Sequence, residues 1–464
     1  MVFTDTGSSM VRVLDLDDGK VEKEIDGIGT TPAAIYPTSD YKSVVVNFRA
    51  LHEFFLVHSG LSLESHGDHA DVSKSDPTKF SIEGKCTDCK LPTHFSGGYN
   101  RMVIFFDGTS APQNEPTVRS RAVAIDDRLS MLADTTKKTL DSRIEFDSTW
   151  MAPQHGIAVP LAQDVFLVSL PNPAFNSSAC ATPHTSCDSL SSQFKAVKKT
   201  ASGNVDVAWN TPRDCPGYHG HAMGMGGWHA IGCGNGRGGI NLQNSYFLAV
   251  KYSNDAIESF NVKYHEAGGS IGTFVGHDNQ AVLVGVYNKD GSRSFVRWRG
   301  GDKSYTVNDV MAVPAGVIPV SYGFEMVSGK VFVAFYTSGE VKLYDVSSSW
   351  KELASLKVVE PFTSTSKYQL VLGYHKMYLL DPDQSKITEI DIKDDSVLST
   401  GRSFTVTGKP TAGVVIGMTP MEALEAACGG GEESHETFSA GVQLTYAAGS
   451  FVMAIAVSIL NLHM

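Results

Sequence analysis

The feature that most constrains this 464-residue chain is a recurrence. A short approach leads repeatedly into an apolar run rich in β-branched and aromatic residues. Seven such units stand out: TPAAIYPTSDYKSVVVNF, PTHFSGGYNRMVIFF, PQHGIAVPLAQDVFLVSL, GYHGHAMGMGGWHAIGC, VGHDNQAVLVGVY, VSYGFEMVSGKVFVAFY and SKYQLVLGYHKMYLLD. Many short strands separated by Gly, Asp, Asn and Ser indicate a sandwich, barrel or propeller. The spacing, roughly sixty residues early and forty-five late, matches a propeller blade with insertions in the early blades. In VRVLDLDDGKVEKEI, VKLYDVSSSWKELASL and MYLLDPDQSKITEIDI an apolar strand ends in Asp, turns and returns. This is a blade hairpin, with the Asp capping the turn. The expectation is an all-β, seven-bladed β-propeller over residues 1–418, a small and polar spacer at 419–441, and an apolar tail at 442–464. Only TPMEALEAA, 419–427, reads as helical.

The formal net charge of -12 argues against a nucleic-acid binder, which needs a basic face to displace counterions from phosphates. It suits a surface that handles cations. Six of the seven cysteines fall into local pairs, Cys86/Cys89, Cys180/Cys187 and Cys215/Cys233. Even, local pairing points to disulfides and an oxidising compartment. Asn176-Ser177-Ser178 is a glycosylation acceptor in keeping with that compartment. Residues 1–10 have neither the basic start nor the apolar core of a signal peptide, so the start of the natural chain is expected to be missing. At the other end, small residues Cys428 to Gly431, a polar spacer and the apolar tail form a GPI-attachment pattern. A membrane-spanning helix is the competing reading, though no Lys or Arg follows Lys409 to mark a cytoplasmic flank. Either way the tail implies a membrane-anchored protein at the cell surface.

Four histidines occupy one place in successive units: His94 in PTHF, His155 in PQHG, His219 in GYHG and His277 in VGHD. In a propeller the inner strands line the central channel. Equivalent positions on them converge at one mouth, and converging neutral imidazoles are ready ligands for Zn2+. The bland alternative, that each His bonds a backbone carbonyl in the channel wall, weakens as the number of equivalent positions grows. ESHGDHAD, residues 64–71, leaves the first unit just ahead of His94 and carries His66, Asp68 and His69. Gly67 lets this loop turn both imidazoles one way, so that it adds ligands or hands metal inward. Cys86 and Cys89 in CTDC form a disulfide, a redox pair or thiolate ligands, and an oxidising compartment favours the disulfide. A Cys215–Cys233 bond would close a loop of roughly eighteen residues and stiffen the segment that presents His219.

At these residues the chain resembles a known family. HGDHAD, LPTHFSGGYNRMVIFFDG, APQHGIAVPL and CPGYHGHAMGMGGWHAIGC are similar to the AztD-type zinc metallochaperone family, periplasmic β-propellers that serve a zinc ABC importer. The similarity spans roughly residues 10–415 and is most specific between 64 and 233. Motifs of type PxHF, HGxAVP and CPGxHG match around His94, His155 and His219, and the family's His-rich loop matches His66, Asp68 and His69. The resemblance implies that these residues bind zinc and that the partner is a zinc acceptor or transporter. Here Ala70-Asp71-Val72 stands where the family carries further histidines, which implies weaker transient loading. The Cys180/Cys187 insertion and the tail are foreign to a soluble periplasmic chaperone, so a bacterial acceptor is not implied.

Three functions compete on these residues. The first, and the expectation, is a non-enzymatic protein that captures or relays zinc. The second is a zinc hydrolase or lactonase-like propeller, since three histidines and a water make a competent centre. It needs a general base, and the repeat places no glutamate beside the histidines. The third is an adhesion or scaffold propeller with structural metal or none.

Overall fold

The computed structural model describes residues 1–32, 34–65, 70–83, 89–108, 118–126, 137–139, 142–144, 154–170, 193–209, 214–215, 218–233 and 246–417. In several blades the second strand is mostly apolar and buried along its whole length. Ser43–Phe48, Arg101–Phe106, Val165–Leu170 and Val331–Tyr336 are buried at every position. A strand sandwiched on both faces shows no alternation of apolar and polar residues. Each such strand pairs antiparallel with its neighbours, and the sheets pack face to face in a ring.

There are eight of these sheets among the described residues, not seven. Blades 2 to 8 begin with the inner strands Ala34–Pro37, Pro92–Gly98, Ala158–Ala162, His221–Met223, Ser270–His277, Pro319–Phe324 and Gln369–Leu372. Blade 1 is assembled from both ends of the chain. Its outer strands are Val2–Asp5, Val11–Leu14 and Val21–Ile25, and its inner strand is Pro410–Val414, antiparallel to the first of them. The repeat pattern counted approach-plus-strand units, and blade 1 has no approach of its own. What the sequence showed of it was only the hairpin VRVLDLDDGKVEKEI. The ring is fastened by Asp5, whose carboxylate accepts from Arg12 at 3.0 Å and from the Lys409 backbone N–H at 2.7 Å.

Eight apolar clusters fill the eight seams between neighbouring blades. The seam between blades 3 and 4, for example, is Val103, Phe105, Ala122, Ala124, Ala158, Phe166, Val168 and Val197. The core is therefore a ring of seams around a channel, and the inner strands are held by their outer neighbours. The paired strands Leu61–Ser65 and Ala70–Lys74 stand apart from blade 2 as a two-stranded hairpin. His66, Asp68 and His69, which lie between those two strands in sequence, fall outside the described residues, as do Cys86, Cys180, Cys187, Asn176 and the segment 418–464. Among the described residues no helix is long and apolar enough to cross a membrane.

Cys215 and Cys233 are joined, with Cα atoms 5.0 Å apart and a sequence separation of 18. Both are buried in the seam between blades 4 and 5. Cys89 is also disulfide-bonded. Replacing Cys215 and Cys233 together by serine is expected to lower the unfolding free energy by about 3 kcal/mol, the chain-entropy value for a loop of this length. Urea denaturation of the variant with and without reductant checks it, since reductant should shift the wild type and leave the variant's Cys215/Cys233 contribution already lost.

Candidate metal centre

Three of the four histidines singled out by the repeat come together. Strand Pro92–Gly98 carries His94, and its register against Arg101–Phe106 shifts between Pro92 and His94. Such a bulge re-aims side chains beside it. The strand is pinned to blade 2 by Asn47, whose Nδ2 donates to the Pro92 carbonyl at 3.0 Å, and by Arg49, whose Nε donates to Thr93 Oγ1 at 3.0 Å. Phe95, next along, turns into the seam and stacks on Tyr36 with ring centroids 4.6 Å apart.

His155 and His219 lie just ahead of the inner strands of blades 4 and 5, and each is followed by a glycine. A Cβ on Gly156 would run into the Phe105 ring and Ser169 Oγ, and one on Gly220 into the backbone of Gly272 and Thr273. Gly220 also sits at φ +69°, in the left-handed region. The HG dipeptides of the motifs are thus a packing requirement: they let the backbone bearing each imidazole lie against its neighbour. Gln154 is buried, donates through its backbone N–H to the Asp107 carbonyl at 2.9 Å, and donates through Nε2 to the Ser169 carbonyl at 2.9 Å. Tyr218 O–H donates to the His155 carbonyl at 2.8 Å, so the segment before His219 also holds His155.

The rings converge. His94 and His155 centroids are 4.8 Å apart, and His219 is 6.0 Å from each. His94 Nε2 and His155 Nε2 are 3.2 Å apart. Two nitrogens bound tetrahedrally at zinc's usual distance stand about 3.3 Å apart, so this pair is spaced as ligands would be. The opposite edges of two rings are anchored. His155 Nδ1 contacts Asp107 Oδ2 at 2.9 Å, and His219 Nδ1 contacts the Gly272 carbonyl at 2.8 Å. A carbonyl only accepts, so this hydrogen bond places a proton on His219 Nδ1. A carboxylate imposes the same tautomer on His155, the outer support typical of metal-binding histidines. Asp107 Oδ2 also accepts from Arg49 at 2.9 Å, which fixes the carboxylate.

His94 is held well below the ordinary imidazole pKa, first by burial, then by the neighbouring His155, His219 and His221 and by Arg49. It is neutral at pH 7 and needs no deprotonation before it can bind a cation. His94 and His155 thus offer two nitrogens at ligand spacing, with the His219 ring 6.0 Å from each and the Asp107 carboxylate one hydrogen bond behind His155.

His277 goes elsewhere. The trio stands at or before the start of the inner strands, whereas His277 is the last residue of Ser270–His277, at the strand's far end. The unit VGHD was aligned one strand too late: SIGTFVGH is itself the inner strand of blade 6. His277 is buried, its Nε2 bonds the Met326 carbonyl at 2.9 Å, and its Nδ1 accepts from the Asn279 N–H at 3.1 Å. Gly329 leaves room for the ring, which a Cβ there would strike. With both nitrogens engaged, this histidine ties blade 6 to blade 7.

Sequence reasoning passed over Asp107 and Arg49. Asp107 is the Asp of FFDG that ends the second strand of blade 3, a position that reads as a turn cap until the fold brings it against the next blade. Replacing Asp107 with Asn should weaken zinc binding 10–100-fold, the usual range for an outer support, because an amide does not enforce the His155 tautomer. Competition against a zinc chelator reads this directly; unchanged affinity would show that Asp107 serves only Arg49.

No family model matches the chain. A curated relative, the zinc chaperone AztD of Citrobacter koseri, is 23% identical over 381 residues, covering 78% of this chain and 75% of the relative. The solved structure of apo AztD from Citrobacter koseri superposes with a TM-score of 0.68 at 20% identity, covering 90% of this chain and 97% of that one. A second crystal structure of Citrobacter koseri AztD gives 0.66 at 21% identity, with 89% and 96% covered. In sequence over 78% of its length, and in fold over 90%, this chain resembles the zinc chaperone AztD.

Proposed function

We propose that this protein is a zinc carrier: it captures Zn2+ at His94, His155 and His219 and passes it to an acceptor in an extracytoplasmic space. The observation that carries the reading is the 3.2 Å approach of His94 Nε2 to His155 Nε2 with His219 alongside, each of the latter two rings anchored through Nδ1. Likeness to a zinc chaperone supports it. His66, Asp68 and His69 are proposed to collect the ion and deliver it to the trio, and the acceptor is a zinc-binding protein or transporter. The oxidised Cys215–Cys233 pair supports an oxidising compartment. Anchoring at a membrane surface is proposed to run through residues 442–464.

Carriage, not hydrolysis, is favoured by the use already made of the nearest carboxylate. Asp107 Oδ2 is engaged by both His155 and Arg49, and a hydrolytic centre needs a base able to take a proton from water. The test compares stability with release. A carrier stays folded when stripped of zinc and surrenders bound zinc to a chelator within minutes. A protein that unfolds on stripping would hold zinc structurally, and the carrier reading would then fail.

A further inference from the structure

Blade 5 holds a second pair of imidazoles. Its inner strand, His221–Met223, pairs with Trp228–Gly232 so that His221 lies opposite Ile231 and Met223 opposite His229. Directly opposed residues share a face, as do residues two apart on a strand. His221, Met223 and His229 therefore stand on one face, the face whose Ile231 packs into the seam with blade 4. His221 is 4% exposed and His229 0%. Their rings are nearly parallel, with centroids 6.5 Å apart.

Three buried ring nitrogens, His221 Nε2 and both of His229, have no hydrogen-bond partner among the described residues. Folded proteins rarely leave buried polar atoms unpaired, and each such atom asks for an explanation. A neutral imidazole presents one N–H and one nitrogen lone pair, so His229 lacks both a hydrogen-bond acceptor for the first and an electron-pair acceptor for the second. Met223 adds a thioether to the same face. Tyr99, at the far turn of blade 3's inner hairpin, donates its O–H to Met223 Sδ at 3.6 Å, which holds the sulfur in place.

We propose that His221, His229 and Met223 form a second, interior metal site for a soft monovalent ion, with Cu(I) the physiological member of that class. The three donors carry no charge. The self-energy of a buried ion grows with the square of its charge, so a dication in this face suffers about four times the desolvation of a monocation. Thioether ligands select Cu(I) over zinc. The trio differs on both counts: His155 is 38% exposed at its side chain and is backed by a carboxylate. The two positions are therefore sorted by charge and softness, and this one does not depend on the zinc reading.

The full-length chain with His94, His155 and His219 all replaced by alanine isolates the interior position. Under anaerobic conditions it is titrated with Cu(I) against a chromophoric Cu(I) chelator, and separately with Zn2+. One Cu(I) and no tight Zn2+ are expected. Adding His229→Phe should abolish the Cu(I), and adding Met223→Leu, close in volume, should weaken it at least tenfold and remove sulfur from the copper X-ray absorption spectrum. The Met223→Leu arm stands alone if His229→Phe does not fold. Absence of Cu(I), Cu(I) binding indifferent to both changes, or a His229-dependent site that prefers Zn2+ would each overturn the proposal. His229→Phe with the trio intact should keep its tight zinc, so failure of one site is read separately from failure of the other.

Discussion

Replacing His94, His155 and His219 with alanine is expected to leave a folded protein without its tight zinc, the affinity falling by more than a thousandfold. Each substitution removes a nitrogen that binds the ion itself, a larger loss than the 10–100-fold that follows from disturbing an outer support. The fold should survive for a specific reason. These side chains are only partly buried at the channel mouth, outside the seams that carry the apolar core. Asp107 loses the His155 contact and keeps Arg49, and the Gly272 carbonyl loses one donor where water can replace it. Elemental analysis and chelator competition on wild type and variant, with circular dichroism to confirm folding, decide the matter. Equal zinc binding by both would make the trio a set of channel-wall residues and end the carrier reading.

The second large effect is acid sensitivity built into blade 5. His229 is fully buried, and burial, with a smaller contribution from His221, lowers its pKa from 6.5 to about 3. The unfolded chain takes up a proton near pH 6.5, and the folded chain refuses it until near pH 3. Within that window the unfolded state binds the extra proton, so stability is fully present above pH 6.5 and is lost as pH falls toward 3. The slope is roughly 1.4 kcal/mol per pH unit for this one group. At pH 5 the metal-stripped wild type should be about 2 kcal/mol less stable, relative to pH 7, than His229→Phe is. Phenylalanine removes two unpaired nitrogens but is the larger ring, so the comparison is read from the pH dependence and not from stability at neutral pH. Urea unfolding at the two pH values measures the difference. Parallel pH dependences would mean that His229 is hydrated or paired in solution.

How far the site was legible depended on what each residue's role requires. His94, His155 and His219 stood out because the repeat gives them equivalent places, and the ring then brings them together. His277 carried the same signal falsely. Its Gly-His-Asp context mimics the motif, but His277 closes strand Ser270–His277 where the others precede or open their strands. A shift of that size is invisible in a short apolar pattern. His221 and His229 sit in the most His-rich motif of the chain and still could not be assigned, since their character comes from burial without partners. Asp107 reaches His155 across 48 positions of sequence, a contact that no local pattern encodes.

The sequence by itself determined the class of fold, because a strand buried on both faces must be apolar throughout, and such runs recurring between turn residues leave few architectures open. It also determined which imidazoles could meet, since equivalent positions in a closed ring face one axis. The tertiary structure alone decided the number of blades. Blade 1 is divided between residues 2–25 and 410–414, and its single inner strand joins the others only when the ring closes. It alone decided, too, which ring nitrogen of each histidine is anchored. That depends on the carbonyl or carboxylate each ring meets, as His219 meets Gly272, His155 meets Asp107 and His277 meets Met326. Hydrogen-bond partners in a propeller come from the neighbouring blade, some fifty residues away, and are set by packing rather than by adjacent sequence.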